Sequence, residues 1–145
     1  MTKMYYCMRW LYLHKLKYLS LLIKKLIRVL YACDIFPTTD IGKGCVFQHG
    51  GAGTVIHERC KIGANCEIYQ NVTIGGNGKK DSPWPRVPMI GDNVKIYAGA
   101  CLLGPITIGN NVVIGANAVV LCNMPDDSIA VGVPARVLAR SEANE

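Results

Sequence analysis

The stretch IGDNVKIYAGACLLGPITIGNNVVIGANAVV, residues 90–120, sets Ile90, Ile96, Leu102, Ile108, Ile114 and Val120 six positions apart. Upstream, the same spacing runs through Ile56, Ile62, Ile68 and Ile74, and before that through Ile35, Ile41 and Phe47. It breaks twice, between 47 and 56 and between 74 and 90. Glycine follows directly at Gly42, Gly63, Gly75, Gly91, Gly109 and Gly115. Four places after the grid residue stands a small or β-branched one, as in Cys45, Cys60, Cys66, Val72, Val94, Ala100, Ile106, Val112 and Ala118. A helix repeats every 3.6 residues and a strand every two. A period of six belongs to a hexapeptide solenoid, in which three hexapeptides close a coil of roughly eighteen residues. The grid residue points inward and stacks on its equivalents, and strands of successive coils pair at about 4.8 Å. The expected fold is therefore an all-β solenoid, a β-helix of hexapeptide repeats preceded by a short helical segment.

A chain of 145 residues suits one such domain, because a solenoid needs only contacts between neighbouring coils. We expect a basic helical segment at 1–33, the β-helix at 34–138 with an extended loop at 76–89, and a tail at 139–145. Seven cysteines are present, an odd number, and three of them (Cys45, Cys60, Cys66) take the small inward position. Free cysteine there behaves as a small hydrophobe. With no secretory signal evident, reduced thiols and a cytoplasmic protein are expected. No CxxC pair exists and only three histidines are present, so no metal site is expected.

Charge is unevenly placed. Lys3, Arg9, Lys15, Lys17, Lys24, Lys25 and Arg28 precede Asp34 with no acid among them, which leaves nine basic and ten acidic residues in the rest. Residues 4–31 lack glycine and proline and read as one or two helices. Lys3, His14, Lys17, Lys24, Lys25 and Arg28 gather on one side, and Met8, Tyr12, Leu16, Leu19, Ile23, Leu26 and Leu30 on the other, with Lys15 out of place. Two outcomes stay open. Either the apolar side packs on the solenoid or a sister subunit and the lysines are solvated, or the helix lies on an anionic membrane surface. Nothing points to nucleic acid.

His49 lies in Gln48-His49-Gly50-Gly51-Ala52-Gly53, where the grid slips by three residues and the chain must bulge from the coil. Glycines there admit conformations closed to other residues and let a ligand approach. A histidine on such a bulge suits a general base, or equally a surface turn. His57 is expected at a corner in a structural role, and His14 in solvent on the helix. Asp34 precedes His49 by fifteen residues, near enough to one coil for its carboxylate to orient an imidazole. It is equally placed to cap the junction between helix and solenoid.

The run Asp34-Ile35-Phe36-Pro37, then Ile41-Gly42-Lys43-Gly44 and Gln48-His49, resembles the start of the catalytic domain of serine O-acetyltransferases. The likeness continues through 71–78, 90–94 and 114–116 and ends at Gly132-Val133-Pro134-Ala135-Arg136. It implies a left-handed parallel β-helix, a homotrimer, and acetyl-CoA as acyl donor lying in the groove between subunits. It also implies His49 as base and Asp34 as its partner. By motif position Ala98, Gly99 and Ala116 would line the pantetheine channel, Gly76 and Gly78 would belong to the same region, and Arg136 would meet a phosphate. Where that family carries an aspartate before the histidine, this chain has Gln48, and where it carries a second histidine, this chain reads Arg86-Val87-Pro88. The loop 76–89, polar and proline-rich, must leave the prism, with Trp84 and Arg86 offered to substrate or to a neighbouring subunit. These departures lead to the expectation of an O-acetyltransferase acting on a sugar or lipid-linked sugar hydroxyl in surface-polysaccharide assembly. Serine O-acetylation, amino-sugar N-acetylation and a non-catalytic membrane scaffold are the alternatives.

Overall fold

The structure, a computed structural model, describes residues 1–81 and 83–139. The rest of the expected tail beyond Ala139, and Ser82 in the loop, lie outside the described residues. The chain adopts the expected left-handed parallel β-helix. Two helices come first, α1 (Thr2–Leu13) and α2 (Lys17–Tyr31). The first coil then runs β1 (Asp34–Ile35), β2 (Asp40–Ile41) and β3 (Val46–Phe47). The second is β4 (Val55–Ile56), β5 (Lys61–Ile62) and β6 (Glu67–Ile68), and the third β7 (Thr73–Gly75), β8 (Met89–Ile90) and β9 (Lys95–Ile96). The fourth is β10 (Cys101–Leu103), β11 (Thr107–Ile108) and β12 (Val113–Ile114). β13 (Val119–Val120), β14 (Ser128–Val131) and β15 (Arg136–Ala139) finish the stack.

Three sheets result, one per face. The first face is β1-β4-β7-β10-β13, the second β2-β5-β8-β11, and the third β3-β6-β9-β12-β14-β15, parallel throughout except for β15. Register follows the sequence grid: Ile35 pairs with Ile56, Ile62 with Ile90, Ile68 with Ile96. Every grid residue is buried, and so are Cys45, Cys60, Cys66, Val72, Val94, Ala100, Ile106, Val112 and Ala118 at the corners. All seven cysteines are free. Burial pushes the Cys60 thiol up to about 12, which keeps it an uncharged filler of the core.

The corners repeat as the faces do. Gly53, Asn71, Gly99 and Asn117 share one left-handed position on successive coils, with φ between 57° and 73°. Glycine and asparagine are the residue types that enter this region most readily. A Cβ on Gly99 would run into Asn117 Oδ1 of the next coil. On another corner Asn93 Nδ2 donates to Asn111 Oδ1 at 3.1 Å, and Asn111 Nδ2 to Asp127 Oδ1 at 3.0 Å.

The N-terminal segment forms two helices because the chain turns at Lys15, whose φ is 63°. Helix α1 covers the open end of the first coil. Tyr5 Oη donates to the Thr39 carbonyl at 2.7 Å, Tyr6 Oη to that of Gly42 at 2.6 Å, and Arg9 to those of Pro37 and Thr38. The Phe47 amide donates to Thr2 Oγ1 at 3.0 Å. These side chains satisfy backbone groups that a preceding coil would otherwise have paired. On α2 the expected polarity is reversed in part. Ser20 and Ile27 are buried and Lys24 is drawn inward, whereas Leu19, Leu26 and Leu30 of the apolar side stay exposed. The turn at Lys15 re-phases the second helix, so one continuous helical face no longer applies. No helix among the described residues is long and apolar enough to cross a membrane.

Candidate active site

The three-residue slip seen in the sequence is a short 3₁₀ turn, Gln48–Gly51, at the edge where the third face passes into the first. His49 sits in it with φ 50° and Gly50 with φ 70°, so the chain is thrown outward and the imidazole is exposed. Gly50 stands close to the Tyr31 ring, where a Cβ would crowd the aromatic carbons. Among the described residues the His49 ring has no hydrogen-bond partner. Its neighbour is Tyr69, ring centres 6.0 Å apart, and Tyr69 in turn meets Tyr97 at 4.9 Å on the coil beyond. The same edge carries Ala52, Gln70, Ala98 and Ala116 in register, each carbonyl of the first three receiving the amide of the left-handed residue one coil on. Gln70 Oε1 is buried there without a partner. Ala52, Ala98 and Ala116 form a strip of small side chains along this edge, interrupted by Gln70. Gly99 lies on this strip too, and its tight fit under Asn117 gives it a structural reason of its own.

Below His49 runs a polar ladder that sequence reading passed over. Gln48 Nε2 donates to Glu67 Oε2 at 3.2 Å, and Lys95 Nζ binds Glu67 Oε1 at 3.0 Å. The hydrogen bond from Lys95 holds the Glu67 carboxyl below the usual range, and Lys95 is raised in return. Residues 48, 67 and 95 are far apart in sequence and meet only through coil register, so no local pattern could have flagged them.

Asp34 opens β1 on the first face. Its carboxylate is held by α2, with Lys24 Nζ 3.1 Å from Oδ1 and Arg28 Nη1 3.6 Å from Oδ2. Lys24 also lies 3.3 Å from the centre of the Phe36 ring. No hydrogen bond joins Asp34 to His49. Of the two roles the spacing left open, the junction role is the one formed here, because Lys24 and Arg28 stand one turn apart on α2 and reach the carboxylate together.

The remaining candidates gather elsewhere. Gly76, Gly78 and Arg86 line a cavity of about 230 Å³ with His57, Arg59, Lys79 and Lys80, at the edge between the first and second faces. Trp84 is exposed beside it, its ring 4.7 Å from the Arg59 guanidinium. Val87, where the resembled family has a histidine, is buried and anchors the loop's return. Within one chain this edge is separated from His49 by the width of the first face. Arg136, exposed at the start of β15, borders a hollow of about 450 Å³ formed by residues 131–136 at the far end of the prism. His14 stacks on Trp10 at 4.1 Å in solvent, away from all of these.

The model of the bacterial transferase hexapeptide (six repeats) matches residues 88–122. A serine acetyltransferase of Synechococcus elongatus is 44% identical over 132 residues, which is 91% of this chain and 53% of that protein. The solved structure of a Neisseria gonorrhoeae serine acetyltransferase in complex with serine is similar with a TM-score of 0.82 and 34% identity, over 95% of this chain and 55% of that one. A serine acetyltransferase in complex with CoA gives 0.81 and 36%, over 94% and 55%. The chain thus spans about half the length of the relatives it matches. These relatives overturn the expectation of a sugar or lipid-linked sugar acceptor in polysaccharide assembly. That expectation rested on departures from the resembled family, Gln48 and Val87 among them, and these weigh less than the likeness over nine-tenths of the chain.

Proposed function

We propose that this chain, a member of the hexapeptide transferase family, is a serine O-acetyltransferase that uses acetyl-CoA as acyl donor. The observation that carries the reading is the placement of His49. It is thrown out from the coil at φ 50°, on the edge that also presents Ala98 and Ala116, in a chain similar to serine acetyltransferases along nearly all its length. In this mechanism His49 takes the proton of the serine hydroxyl as the oxygen attacks the thioester carbonyl. It then returns that proton to the departing thiolate, so the acetyl group passes directly from sulfur to oxygen. Asp34 is assigned to orient the imidazolium, and for this it must exchange its looser partner, the exposed Arg28 at 3.6 Å, for the ring. Gln48 is assigned to the acceptor, and the small residues of the strip to the pantetheine arm. Arg136 is assigned to a phosphate of the donor.

The working unit of this reading is a homotrimer. One chain holds His49 on one edge and Gly76, Gly78, Trp84 and Arg86 on another. A neighbour packed around a threefold axis would set the second edge opposite the first and close a groove between them. The test is mass spectrometry of the products after incubation of the purified chain with acetyl-CoA and L-serine, beside threonine and a set of sugars. O-acetylserine is expected; acetylation of another acceptor but not of serine rejects the substrate.

A further inference from the structure

Gln48 presents a polarity problem that the structure answers. A glutamine amide has two ends, a donor and an acceptor, and either can face a substrate. Here the side chain stands on the same turn as His49, and its inner end meets a carboxylate. An ionised carboxylate only accepts hydrogen bonds, so the end of Gln48 that faces Glu67 must be the NH₂. The carboxylate is in turn fixed by Lys95, which takes its other oxygen at 3.0 Å. Both oxygens of Glu67 are thereby engaged, and its charge is offset by the ammonium. The outer end of Gln48 is then the carbonyl, and among the described residues Oε1 has no hydrogen-bond partner.

From this geometry we infer that Glu67, braced by Lys95, is a positioning residue that sets the direction of the Gln48 amide, so that Oε1 receives a hydrogen bond from the acceptor's amine. The inference rests on the reading of the chain as an acetyltransferase of a small hydroxyl acceptor, and it adds how that acceptor is gripped. Recognition by this device is neutral: the acceptor must donate, but the site compensates no charge at position 48. Without Glu67 the amide is free to turn over and offer its NH₂, which an ammonium repels.

The test is steady-state kinetics of the full chain and of Glu67→Gln, Lys95→Met, Gln48→Ala and the double variant Gln48→Ala/Glu67→Gln. The acceptors are L-serine, threonine, ethanolamine and glycerate. Loss of one oriented hydrogen bond predicts that Glu67→Gln raises the acceptor KM by roughly three- to tenfold. The acetyl-CoA KM and kcat should stay within about twofold, the usual signature of a lost binding contact. In the Gln48→Ala background the same Glu67→Gln change should move nothing further, because the amide it directs is gone. An unchanged acceptor KM in Glu67→Gln, or an equal rise with and without Gln48, overturns the inference. If the wild-type chain acetylates threonine or ethanolamine but not serine, the serine reading fails, and the same variants on that amine still decide the role of Glu67. A chain that acetylates glycerate alone overturns the inference, because glycerate has no amine to donate. A wild-type chain that acetylates none of them overturns both.

Discussion

At the scale of single residues, the proposed site joins a histidine that no neighbour restrains by hydrogen bond to a carboxylate held in ion pairs by two cations. His49→Ala should lower turnover by roughly 10²–10⁴ while leaving the melting temperature within a degree or two, since the exposed ring packs against little. Retained turnover removes His49 from the mechanism. Asp34→Asn separates two roles in one experiment. As the orienting group it should cost kcat about tenfold or more; if it anchors α2 only, stability falls and kcat holds. His49 was legible in the sequence because the slip of three residues and the glycines around it signal a bulge. Glu67 was not, for its outward position beside Val46 looks like any solvated strand residue until β3 and β6 are placed in register. The departures at 48 and 87 misled because two positions weigh less than a likeness that runs along nine-tenths of the chain.

At the scale of elements, the corner and the capping helix carry the clearest tests. Gly99→Ala asks a Cβ to enter a left-handed position already filled from above by Asn117, and should cost about 1–3 kcal/mol in thermal unfolding. An unchanged melting temperature would show that the corner relaxes freely. Helix α1 is held by Tyr5, whose hydroxyl is raised above its ordinary value by burial. The folded state therefore holds this proton more tightly than the unfolded chain does. Its contribution is complete below the ordinary tyrosine value of 10.0 and drains away as pH rises towards the folded one. Stability should accordingly fall in alkaline solution, and Tyr5→Phe should flatten part of that fall while costing about 1 kcal/mol at neutral pH for the unpaired Thr39 carbonyl. Strand positions were readable because hexapeptide register is written locally. The facing of α2 was not, since a single backbone turn at Lys15 resets the angular phase of every residue after it.

For the whole molecule, the proposed function ties activity to assembly, because one chain holds His49 and the Trp84 edge apart. Sedimentation should give about three times the 15.8 kDa chain mass, and specific activity should drop on dilution wherever that mass does. Activity undiminished in a monomer would place the complete site within one chain. The prism also has two ends, and they are treated differently from its length. Each coil offers the next a row of unpaired amides and carbonyls in the same direction, a surface on which any like chain can add. At one end the side chains of α1 occupy that row; at the other β15 turns back antiparallel on β14. A reversed strand and a helix are poor templates for a further parallel coil. The two caps thus convert an architecture with no natural stopping point into a particle of fixed length, and hold in check the end-to-end fibre that a bare stack of coils would otherwise become.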